Sequence, residues 1–260
     1  MGIPAYLEEG EGDTAVFLLH GVGGGKEAWR HNQPVLAAGG FRTIAWDMPG
    51  YGESSGLEPC SNDGLANGLR TLIEHVGATR NILLGHSMGG MIAQEVAALH
   101  PSLVHGLVLH STSPAFGRAD GAWQQQFLQS RFAPLDQGLG MAGLAQSLVR
   151  GMFSPGADPD SIAEATALMA RVHPETYRAA LSAIVSFNRL AELGRIAVPV
   201  LCLAGELDIN APPAVVEKMA SRIPGSDYVC LPQVGHIANI EQPTLFNRTV
   251  LAFLRQHFSS

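Results

Sequence analysis

Short, unbroken apolar runs punctuate the chain, and between them apolar residues recur at helical spacing. Six runs read as buried strands: Ala15–Leu19, Phe41–Trp46, Asn81–Leu84, Val104–Leu109, Val198–Ala204 and Asp227–Leu231. Most lack polar alternation, which is the mark of a parallel sheet covered on both faces. Asp63–Val76 places Leu65, Leu69, Leu72, Ile73 and Val76 on one helical stripe, and Met88–Leu99, Ala214–Ile223 and Pro243–Phe258 read the same way. Strand alternating with helix over most of the chain predicts an α/β fold with a mainly parallel sheet.

The alternation fails between residues 115 and 194. That stretch has no strand-like run, is rich in Ala, Leu, Met and Gln, and is cut by Pro134, Pro155, Pro159 and Pro174. It predicts a helical cap inserted between two strands, so that residues 1–114 and 195–260 form the core and 115–194 the cap. An insertion at this point overlies the carboxyl ends of the strands, where open α/β sheets bind ligands.

Composition narrows the function classes. The 260 residues are 46% apolar and 15% charged, enough apolar material for a large core. Sixteen basic against 23 acidic residues, net −7, argue against a nucleic-acid surface. Cys60, Cys202 and Cys230 have no CxxC spacing and predict neither disulfides nor a thiolate metal site. No apolar run reaches the roughly 18 residues of a membrane span. The N-terminal sequence lacks a signal-peptide pattern, and Tyr6 breaks the myristoylation motif. The expected compartment is the cytoplasm, with no membrane partner.

The sharpest motif is Gly85-His86-Ser87-Met88-Gly89-Gly90, between a strand-like run and a helix-like one. It fits G-x-S-x-G, in which glycines flank a serine on a tight strand-to-helix turn. A serine hydroxyl needs a base, and of ten histidines His236 stands out. It follows the last strand in Val234-Gly235-His236. Asp208 follows the preceding strand in Gly205-Glu206-Leu207-Asp208 and supplies an acid to orient the imidazole. Glu206 lies nearer the strand end and reads as structural. The order Ser87, Asp208, His236 is that of the α/β-hydrolases. The glycine-rich loop His20–Gly25 follows the first strand and fails both phosphate-binding templates, because Lys26 stands where one needs glycine and Glu27 where the other needs Ser or Thr. It reads as an oxyanion loop, with the Val22 and Met88 amides as donors. There is no HExxH motif, and no metal or cofactor is expected.

Together these segments resemble the α/β-hydrolase fold family over nearly the whole chain, Asp47-Met48-Pro49-Gly50-Tyr51-Gly52 included. Gly235–Pro243 and Ser87–Ile92 look like the 3-oxoadipate enol-lactonase and carboxylesterase branch. The resemblance implies a serine hydrolase of small carboxylic esters or lactones. His86 and Ile237 stand where meta-cleavage C–C hydrolases show Asn and Trp, so that reaction is the alternative, followed by a non-catalytic small-molecule receptor. For substrate contacts the expected residues are Trp29, Trp123, Phe127 and Met152, giving a mainly apolar pocket. One inward-facing arginine among Arg118, Arg131, Arg150 and Arg171 would suit an anionic lactone instead. The oligomeric state is left open.

Overall fold

A computed structural model describes residues 2–117 and 121–259. Seven strands form one sheet: β1 (Tyr6–Glu9), β2 (Thr14–Leu19), β3 (Arg42–Trp46), β4 (Arg80–His86), β5 (Gly106–His110), β6 (Val200–Gly205) and β7 (Asp227–Leu231), in the spatial order β1-β3-β2-β4-β5-β6-β7. Every pairing is parallel except β1 with β3. The core helices are α1 (Gln33–Ala38), α2 (Asn62–Val76), α3 (Met88–Leu99), α8 (Pro213–Ala220), α9 (Ala238–Glu241) and α10 (Pro243–Phe258). Strands β2 and β5 are buried along their whole length, as continuous apolar runs require when helices cover both faces. Ser61 caps α2 by accepting from Gly64 N–H, and Gly77 ends it in the left-handed region.

Strand β1 has no counterpart in the apolar pattern. Its sequence YLEE is largely exposed on the sheet edge, and backbone pairing to β3 holds it without an apolar run.

Between β5 and β6 lie α4 (Ala122–Asp136), α5 (Gly140–Leu148), α6 (Pro159–Ala170) and α7 (Pro174–Ile184). The two ends of this insertion are tied to each other: Ala115 and Asn188 form an antiparallel bridge, Phe116 N–H donates to Phe187 C=O and Arg189 N–H to Pro114 C=O. Arg189 also forks onto the buried Glu95 of α3. The helices are therefore anchored at a short neck above the sheet's carboxyl edge. Further ties run from Thr176 to Gly50 C=O and from Glu164 to Arg30 and His31.

Candidate active site

Strand β4 ends in a turn that places Ser87 at φ +52° and ψ −116°, a conformation L-residues rarely adopt. Two contacts hold it: Ser87 N–H donates to His110 C=O (2.9 Å), and the Thr112 hydroxyl donates to Ser87 C=O (2.7 Å). The flanking glycines are steric necessities. A Cβ on Gly85 would lie 2.4 Å from the Gly89 backbone, and one on Gly89 would lie 2.1 Å from Leu19 O.

Asp208 and His236 sit on the loops after β6 and β7. His236 Nδ1 lies 2.8 Å from Asp208 Oδ2, and both side chains are buried. The other oxygen, Oδ1, accepts from the Asn210 and Ala211 amides at 2.8 and 3.0 Å. Burial pushes the Asp208 pKa up, but the facing His236 and the two amides outweigh it and hold the carboxyl below its ordinary value. An ionised Asp208 selects the His236 tautomer with the proton on Nδ1 and leaves Nε2 free to accept a proton. No hydrogen bond joins the Ser87 hydroxyl to His236 among the described residues, yet both line the same two chambers.

Glu206 accepts from the backbone and side-chain nitrogens of Gln233, at 2.8 and 3.0 Å, and steadies the turn before His236. The Asp47 segment shapes the loop opposite. Asp47 accepts from Lys26 N–H (2.9 Å) and Lys26 Nζ (2.7 Å), which fixes the end of the glycine-rich loop. Within that loop, His20 Nδ1–H donates to Gly21 C=O (2.8 Å), His20 Nε2 accepts from Met48 N–H (3.0 Å), and the Tyr51 hydroxyl donates to Val22 C=O (2.9 Å). Among the described residues no group accepts from the Val22 or Met88 amide, so both donors are uncommitted.

Three further imidazoles surround the site. His86 Nε2–H donates to His236 C=O (3.0 Å), and its ring lies 4.8 Å from that of His236 and 5.0 Å from that of His110. Burial, with His236 next, drives the His86 pKa well below its ordinary value, and the same two causes take His110 down to about 3. Burial also lowers His20. All three are neutral at physiological pH, which keeps added positive charge away from His236.

Two chambers meet at Ser87 and His236. The smaller, of about 90 Å³, is lined by Trp29, Val149, Met152, Leu168, Ile237 and Ile240 among others. The larger, of about 280 Å³, runs under the insertion past Phe116, Trp123, Phe127, Arg131 and Tyr177. Trp29 thus faces the small chamber, Trp123 and Phe127 the large one, and Met152 and Val22 both. Trp123 stands 59% exposed at the rim. Of the four arginines expected as candidates for an anionic substrate, Arg131 lines the large chamber. Arg150 donates to the Ser154 and Pro155 carbonyls, Arg171 is exposed, and Arg118 lies outside the described residues.

Sequence reasoning passed over Glu241. It is 5% exposed and accepts from Gly235 N–H (2.9 Å) with one oxygen and from Ser154 N–H (3.0 Å) with the other. His236 N–H donates to Met152 C=O (2.7 Å) beside it. The insertion and the histidine loop are therefore stitched together. A carboxylate five residues after a candidate histidine was the available signal.

The alpha/beta hydrolase fold model matches residues 14–243, and the chain belongs to that family. It is 31% identical over 258 residues to BpoC of Mycobacterium tuberculosis, a protein named as a non-heme bromoperoxidase, with 96% of each chain covered. It is 28% identical to the pimeloyl-[acyl-carrier protein] methyl ester esterase of Pectobacterium atrosepticum, covering 95% of this chain and 97% of that one. The enol-lactonase from Burkholderia xenovorans LB400 superposes with a TM-score of 0.84 at 26% identity, covering 96% and 95% of the two chains. Esterase and lactonase relatives support ester hydrolysis as the general chemistry. Among the described residues no helix is long and apolar enough to cross a membrane.

Proposed function

We propose that the chain is a serine hydrolase of carboxylic esters and lactones that works through an acyl-enzyme. The observation that carries this reading is the 2.8 Å contact between Asp208 and His236, where His236 shares both chambers with the strained Ser87. His236 Nε2 takes the Ser87 proton as Oγ attacks the acyl carbon. The carbonyl electron pair moves onto oxygen, facing the Val22 and Met88 amides. The C–O bond to the leaving group then breaks, and that oxygen takes the proton from His236. Water repeats the sequence on the acyl-enzyme and releases the acid. Asp208 stays ionised throughout and stabilises the imidazolium.

Chamber size supports short acyl groups. A benzene-sized ligand fills a cavity of about 150 Å³. The 90 Å³ chamber is too small for a ring and fits a short acyl chain, whereas the 280 Å³ chamber admits an aromatic alcohol.

Kinetics on p-nitrophenyl acetate and butyrate test the reading. Ser87→Ala is expected to lower turnover by several orders of magnitude, as loss of a triad member does elsewhere. It is also expected to abolish labelling by a fluorophosphonate probe. A variant that kept near-full turnover would overturn the assignment, and an unlabelled wild-type serine would favour a receptor.

A further inference from the structure

The large chamber is not apolar throughout. Arg131, on α4, lines it with its guanidinium carbon 5.3 Å from the centre of the Phe127 ring. Among the described residues no carboxylate pairs with it. Tyr177, on α7, is 3% exposed and lines the same chamber, and its hydroxyl has no hydrogen-bond partner among the described residues. Arg131 is close enough to Tyr177 to act on the phenol electrostatically, while burial pushes that phenol up to about 12 and keeps it a neutral donor. With no acceptor among the described residues, that hydroxyl is left to donate to a group bound in the chamber. The aromatic backing of Arg131 leaves its N–H fork for an acceptor, and a planar anion accepts such a fork through two parallel bonds. Among the described residues no acidic side chain lines this chamber.

We propose that Arg131 and Tyr177 form a carboxylate subsite in the large chamber, so that the preferred substrates are short-chain acyl esters whose alcohol or phenol carries a free carboxylate. This rests on the hydrolase reading above. Size sets the orientation: the small chamber holds only a short acyl group, so the alcohol occupies the large one. The large chamber also reaches the exposed Trp123, which gives the leaving alcohol a route out before water attacks the acyl-enzyme. Arg131 and Tyr177 bind and orient; neither joins a bond-making step.

The test compares kcat/KM for 3- and 4-carboxyphenyl acetate with that for the matching carbamoylphenyl acetates and for phenyl acetate. The wild-type enzyme is expected to prefer one carboxylate ester over its neutral amide by at least tenfold. Arg131→Gln and, separately, Tyr177→Phe are expected to reduce that ratio several-fold or more. Arg171→Gln removes an insertion charge outside both chambers and is expected to keep it. A ratio near one in the wild-type enzyme, or one untouched by both subsite variants, overturns the subsite. A stronger preference for p-nitrophenyl hydrogen succinate over p-nitrophenyl butyrate than for the carboxyphenyl acetates overturns the orientation. Phenyl acetate reports the hydrolase reading by itself. Turnover of phenyl acetate with a ratio near one removes only the subsite, whereas no turnover of any ester removes both.

Discussion

His110 gives the structure a quantitative acid-side signature. It is fully buried at the end of β5, 5.1 Å from the Phe246 ring, with its Nδ1 at 3.4 Å from Leu203 C=O and its Nε2 unpartnered. Burial, followed by His236, lowers its pKa from 6.5 to about 3. The folded value lies below the unfolded one, so between these limits the unfolded chain binds the extra proton. Stability from this group is intact above pH 6.5 and falls as the pH drops toward 3. Each unit of that fall costs about 1.4 kcal/mol, so His110 alone removes about 2 kcal/mol at pH 5. That is a sizeable share of the roughly 5–15 kcal/mol that holds a domain together. His86, also depressed, acts in the same direction. Replacing His110 with Met keeps an adaptable side chain of similar bulk and removes the titration. Urea unfolding of both proteins at pH 7.5 and 5.0 measures the difference. The variant is expected to lose about 2 kcal/mol less between the two pH values, roughly a 0.7 M smaller shift in midpoint at an m-value of about 3 kcal/mol/M. Parallel losses in the two proteins would refute the argument.

Asp208→Asn keeps an oxygen for the Asn210 and Ala211 amides but offers His236 an amide, and is expected to lower kcat on p-nitrophenyl acetate about 10⁴-fold, as a wrong tautomer does in other triads. The Asp208 pKa is depressed, so its contribution to stability is present above the ordinary carboxylate range and lost as the pH falls through the lowered value. The Asn variant is expected to lack that part of the acid sensitivity in urea melts. Glu241→Gln turns one acceptor into a donor facing either Gly235 N–H or Ser154 N–H; the expected cost is about 2–4 kcal/mol, seen by urea unfolding, with a ten- to hundredfold fall in kcat as the His236 loop shifts. Unchanged stability and turnover would remove its positioning role. Dialysis against a chelator is expected to leave ester turnover within about twofold, checked on p-nitrophenyl butyrate.

The core strands were legible because a strand covered on both faces must be apolar throughout, and that requirement is written locally in runs such as Ala15–Leu19 and Val104–Leu109. The turn at Ser87 was legible for a similar reason. The chain there passes so close to Leu19 and Gly89 that only glycine fits on either side, so sterics leave a readable motif. Strand β1 left no trace, because an exposed edge is selected by backbone pairing and its side chains meet water.

By itself the sequence determined the α/β alternation, the interruption by an insertion, and the order of Ser87, Asp208 and His236 along the chain. Each depends on neighbours within a few residues or on linear order. Only the tertiary structure decided which distant side chains share a space. It set Arg131 and Tyr177, 46 positions apart, on the wall of one chamber, spent Arg150 on backbone carbonyls, and stitched Glu241 between Gly235 and Ser154. Helical spacing is the same for a residue that faces a chamber and one that faces water. The facing is set by how α4 and α7 pack over the sheet, through many weak long-range contacts that no local pattern encodes.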